Sequence, residues 1–73
     1  MKVDGAAFVA QTGSEPEGFG AWTFGVKTFF KGKRRYFEIV KHGQYREALA
    51  AVKRDVKAMQ QINGTTIVVV SKE

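Results

Sequence analysis

Apolar and polar residues alternate with a period of two over residues 21–30, and again over 34–41. Trp22, Phe24 and Val26 interleave with Thr23, Gly25 and Lys27, the pattern of a half-buried strand. In the second segment Phe37 and Ile39 share one side, with Tyr36, Glu38 and Val40 on the other. From Tyr45 the period lengthens. Tyr45, Ala48, Leu49, Val52, Val56, Met59 and Ile62 recur at spacings of three and four, the stripe of an amphipathic helix. Gly43 is expected to break the strand before this helix, and Asn63-Gly64 to stop it. Thr65–Val70 is β-branched throughout, which predicts a strand buried on both faces or an edge that pairs with something. Residues 3–11 mix Val, Ala and Phe and read as a first strand. Residues 12–20 hold three glycines, the only proline and two acids, and read as a loop.

The two alternating segments make a hairpin whose register can be worked out. A turn at Lys31-Gly32 sets Phe30 opposite Lys33, Val26 opposite Phe37 and Phe24 opposite Ile39, so apolar meets apolar on one face. The other face then pairs Lys27 with Tyr36, Gly25 with Glu38, and Phe29 with Arg34. Lys-Gly is not a favoured two-residue turn, so a type I turn with a glycine bulge is expected.

The element order is strand, strand, strand, helix, strand. It predicts an α+β fold, a small antiparallel sheet with one helix packed across one face. Trp22, Phe24, Val26, Phe37 and Ile39 would meet Leu49, Val52, Val56 and Met59 beneath the helix. The opposite face, with Thr23, Lys27, Phe29, Arg34, Tyr36 and Glu38, is left as the candidate functional surface.

Length and composition narrow the picture. The chain has 73 residues, enough for one domain over 1–73. A domain of this size buries only about 60% of the surface its unfolded chain exposes. It has no cysteine, so neither disulfides nor thiolate metal sites are expected. No run approaches the roughly 20 apolar residues of a membrane helix, and Lys2 and Asp4 at the start do not resemble a signal peptide. These features lead to an expectation of a cytoplasmic protein with no membrane partner.

Charge is concentrated. Ten Lys/Arg and three acids lie between Lys27 and Lys57, a net +7. The rest of the chain carries −2, giving +5 overall. Localised positive charge favours anionic partners.

Catalytic chemistry finds no constellation. His42 is the only histidine and has no cysteine to work with. Glu15 and Glu17 sit two apart in a glycine-rich loop, which cannot hold a carboxylate pair rigidly. No ligand spacing fits a metal. Gly18-Phe19-Gly20 lacks the helix start and the lysine of a phosphate loop. The expectation is a protein that is not an enzyme and needs no cofactor.

The run Phe29–Phe37 is richer. It sets four basic residues among four aromatics around a glycine turn. Lys31, Lys33, Arg34 and Arg35 suit phosphates, with Phe29 or Tyr36 stacking or filling a groove, and a two-stranded ribbon fits a DNA major groove. The same letters also suit an ordinary hairpin with a solvated tip and cross-strand aromatic packing. Arg46, Lys53, Arg54 and Lys57 read as a solvated helix face, or as an extension of a phosphate footprint.

Trp22-Thr-Phe-Gly-Val-Lys27, Lys31-Gly32-Lys33-Arg34, Gly43 and Tyr45-Arg46-Glu47-Ala48-Leu49 together resemble the Apetala-type (ethylene-response-factor) DNA-binding domain. They are similar too to the arm-binding domain of phage tyrosine integrases. The resemblance spans residues 21–56. It implies a three-stranded sheet backed by one helix, with the exposed sheet face in a DNA major groove and Lys27, Lys33, Arg34 and Tyr36 as contacts. The strand Thr65–Val70 lies beyond that unit. With it, the size and architecture resemble small phage-encoded inhibitors of host enzymes, including some anti-CRISPR proteins.

Two functions are therefore carried forward. One is a DNA-binding module, with DNA favoured over RNA, using Lys27, Phe29, Lys31, Lys33, Arg34, Arg35 and Tyr36. The other is a small inhibitor that binds a host nucleic-acid-handling protein. A homodimer through paired Thr65–Val70 strands is a further expectation.

Overall fold

The fold comes from a computed structural model that describes residues 1–59 and 64–73. It is α+β: β1 (Lys2–Asp4), α1 (Ala6–Thr12), β2 (Phe19–Phe30), β3 (Lys33–Gln44), α2 (Tyr45–Ala58) and β4 (Thr66–Lys72). The strands form one four-stranded sheet in the order β1-β4-β2-β3.

The hairpin register is the one that the alternation requires. Val26 faces Phe37, Phe24 faces Ile39, Lys27 faces Tyr36, Gly25 faces Glu38 and Phe29 faces Arg34. Both strands run further than expected. Gly43 pairs with Gly20 inside the ladder instead of breaking it, and α2 follows Gln44 directly.

β4 also pairs with β2, antiparallel, over Trp22–Lys27. β3 and β4 therefore flank β2 and run parallel to each other, and the chain must cross β2 to join them. α2 makes that crossing, which is why it packs on the even-numbered side of β2. Trp22, Phe24, Val26, Val52, Val56, Ile67 and Val69 are almost wholly buried there, each contributing about 1.5–3 kcal/mol of burial. Phe37, Ile39, Tyr45 and Leu49 pack against this core from its margin. Met59, expected within it, is exposed just past the end of α2. Ile62 and Asn63 lie outside the described residues.

Three expectations need correcting. Residues 3–11 are not one strand: a three-residue strand gives way to α1. The Asp4 carboxylate accepts the Ala6 N–H at 3.0 Å, alanines favour the helix, and Gly13 ends it in the left-handed region at φ 75°. Phe8 then packs on Trp22, with ring centroids 5.5 Å apart. Secondly, the sheet is mixed, because β1 pairs parallel with β4. Thirdly, Thr65–Val70 offers no open edge along Thr66–Val68, where β4 is paired with β1 on one side and β2 on the other. Over Thr66–Val68 the chain's own N-terminal strand occupies the place that a second copy's strand would take. The long open edge of the sheet is β3.

The loop before β2 is tied to the core. The Gly18 carbonyl accepts both the Trp22 indole N–H at 3.1 Å and the Tyr45 backbone N–H at 2.9 Å. One acceptor thus positions the central tryptophan and satisfies an otherwise orphan donor at the start of α2. No helix among the described residues is long and apolar enough to cross a membrane.

Candidate nucleic-acid interface

Both helices lie on the same side of the sheet, since Phe8 of α1 and Val52 and Val56 of α2 belong to one core. The odd-numbered side of β2 and the even-numbered side of β3 are left uncovered. The hairpin end of this outer face holds Lys27, Phe29, Arg34 and Tyr36.

The turn is a two-residue one. Lys31 and Gly32 both have positive φ, 50° and 76°, with Phe30 paired to Lys33. That is the signature of a type I′ turn, not the expected type I turn with a bulge. Two long paired strands twist right-handed, and the primed turn matches that twist. Lys31 accepts a left-handed conformation to satisfy it.

The register of β4 with β2 ends at Lys27–Thr66. Past that point the hairpin continues as the pairs Thr28–Arg35, Phe29–Arg34 and Phe30–Lys33. Its base is braced by a buried hydrogen bond between the Thr28 and Thr65 hydroxyls, 3.0 Å long.

On the outer face the Arg34 guanidinium sits over the Phe29 ring, 5.7 Å from its centroid, a cation–π contact. Tyr36 leans diagonally across Gly25. A Cβ on that glycine would stand 2.5 Å from the Tyr36 hydroxyl and 2.8 Å from ring carbon Cε1, so only glycine admits the ring. The Tyr36 hydroxyl donates to Glu38 Oε2 at 2.8 Å. That hydrogen bond, then desolvation and the Glu38 charge, raises the phenol pKa above its ordinary value. Even so, Phe29 and Tyr36 remain 53% and 54% exposed, so both rings can be reached from solvent.

These residues border an open groove of about 550 Å³. Lys27, Phe29, Arg34 and Tyr36 line it from the hairpin, Gly64 and Thr66 close the far side, and Thr28 and Arg35 reach its margin. Four of the seven expected site residues thus converge on one surface. Arg35 pairs with Thr28, whose side chain points to the helix side. Lys31 and Lys33 stand at the tip, outside the groove. Glu38 was expected on this face but not as a contact, and Gly25, Gly64 and Thr66 were not expected as site residues. Gly25 did carry a signal, since a glycine inside a strand often marks a close approach by another group. Nothing in the sequence connects residues 64–66 to the hairpin until the sheet is assembled.

Among the described residues the one ion pair is Lys41–Asp55, at 2.8 Å, which ties β3 to α2. Lys27, Lys33, Arg34 and Arg35 form no ion pair there. Arg46, Lys53, Arg54 and Lys57 are exposed on α2, on the other side of the sheet. A second recess of about 470 Å³ at the start of α2 is bordered by Glu17, Arg46 and Glu47 and lacks this accumulation of cations.

No protein-family model matches this chain, and no curated protein or solved structure matches it.

Proposed function

We propose that this chain is a non-enzymatic, cytoplasmic nucleic-acid-binding module that holds DNA at the hairpin end of its outer sheet face. One observation carries the reading. Lys27 and Arg34, without ion-pair partners among the described residues, share a bare face with two half-exposed aromatic rings, and Lys33 and Arg35 add charge at the same end of the hairpin. Cations of this kind displace counterions from phosphates, and the rings offer stacking surfaces. The tip lysines steer approach, and the groove residues make closer contact.

The test is titration of labelled, mixed-sequence DNA followed by fluorescence anisotropy over a series of salt concentrations. Affinity should fall linearly on a log–log plot, with a slope near −0.9 per phosphate contacted on duplex. The double variant K27E/R34E should flatten that slope and weaken binding to all sequences alike, with an unchanged circular dichroism spectrum. An absence of binding to any mixed fragment at low salt would sink the reading.

A second reading has its own support at the far end of the same face. Phe19 is 70% exposed and Val40 52% exposed, and β3 leaves a sheet edge open. These features suit a protein partner, as in an inhibitor of a host nucleic-acid-handling enzyme, with the edge able to pair with a strand. Capture of a defined host protein that survives nuclease treatment and is lost in F19S/V40T would favour this reading over the first.

A further inference from the structure

The groove beside Tyr36 has the dimensions of a small-molecule pocket, too small to receive a duplex. Its two rings are also unequal. Phe29 is covered on one side by the Arg34 guanidinium. Tyr36 has no such cover: it rests against the Gly25 backbone, its hydroxyl is held by Glu38, and half of its surface is open. Its position is set before any ligand arrives, which reduces the entropy lost on stacking.

The charges around the ring are ordered along the hairpin. Lys27 lies directly opposite Tyr36 in the register, and Arg34 lies two residues nearer the tip on the same face. Glu38 stands two residues away from the tip, behind the ring. Phosphates are therefore attracted toward the Lys27 and Arg34 side and repelled from the Glu38 side. Thr66, the β4 partner of Lys27, lines the far wall with its hydroxyl side chain, where the polar edge of a base would lie.

We propose that this groove takes an unpaired nucleotide of a single strand, its base stacked on Tyr36 and its flanking phosphates held by Lys27 and Arg34. The inference rests on the nucleic-acid reading and narrows it, because the DNA would be gripped single-stranded and not through a major groove.

The decisive experiment compares the wild-type protein's affinity for a labelled single strand of about 12 nucleotides with that for the same sequence as a duplex, at one fixed low salt concentration. The single strand should bind at least about tenfold tighter, the size of effect expected from base–aromatic stacking. Y36F keeps the ring and should keep the preference. Y36L keeps an apolar cover over Gly25 and should lose it, while retaining the salt-dependent part of binding. Equal or tighter duplex binding by the wild type, or a preference unchanged in Y36L, overturns the single-strand inference and leaves DNA binding standing. Failure of both probes to bind overturns the reading beneath it as well. The wild-type comparison needs no variant to fold.

Discussion

The two faces of the sheet are built from alternate residues of the same strands, yet they carry opposite chemistry. On the covered face Trp22, Phe24 and Val26 are wholly buried under α2. One residue along, Lys27 and Phe29 stand on the bare face beside Arg34 and Tyr36. The covered face is specified by the removal of apolar area from water. Burial constrains the bare face far less: Arg34 rests on Phe29 and Tyr36 on Gly25, and both rings stay half exposed. In a domain this small a single sheet can hide only one side, and the second side is free to bind.

The comparison breaks most readily at Phe24. F24A should destabilise the fold by about 3–5 kcal/mol, a large fraction of the total for a domain of this size. Urea unfolding measures it. A cost below about 1 kcal/mol would mean that this face is not the core.

Gly25 is the sharper probe, because it lies on the bare face and yet cannot vary. G25A places a methyl where the Tyr36 ring rests, and overpacking of this kind costs about 1–3 kcal/mol. Removing the ring should recover part of the loss. A double-mutant cycle of G25A with Y36A should therefore show a coupling of about 0.5–3 kcal/mol. Simple additivity would show that the ring does not rest there in solution.

The smallest effect separates the two tyrosines. Both phenols are raised above their ordinary pKa, but for different leading reasons: burial first for Tyr45, then the Glu15 charge, and the hydrogen bond to Glu38 for Tyr36. A folded-state pKa raised above the unfolded one gives a contribution that is complete below about pH 10 and lost as pH rises through the folded value. The melting temperature should therefore decline on the alkaline side of pH 10. Y45F and Y36F should each flatten that decline. An unchanged alkaline limb in both variants would remove the phenols as its cause.

The covered face was legible because two periods meet there. The alternation in β2 and β3 specifies one register, and a one-residue slip would turn every core residue outward. The stripe on α2 then supplies a complementary surface. The first element was misread because Val3 and Val9 suggest a strand, whereas Ala6, Ala7 and Ala10 with Asp4 before them and Gly13 after them favour a helix. Propensity over so few residues is decided by what Phe8 can reach, and that is the Trp22 ring. The place of β4 was illegible for a related reason. Its apolar run indicates burial without saying which neighbours provide it, and β1 and β2 come from distant parts of the chain.

The candidate site divides in the same way. The sequence by itself determined which hairpin residues share a face, since strand alternation and a two-residue turn leave one consistent pairing. It also determined where positive charge accumulates, because charge is a property of the residues themselves. Only the tertiary structure decided that Gly64 and Thr66 close a groove against the hairpin, that Gly25 admits the Tyr36 ring, and that Arg34 covers Phe29 while Tyr36 stays open. Those outcomes depend on which strand lies beside which and on how side chains lean across a twisted sheet. Both are set by packing between segments far apart in the chain, and local pattern carries no record of it.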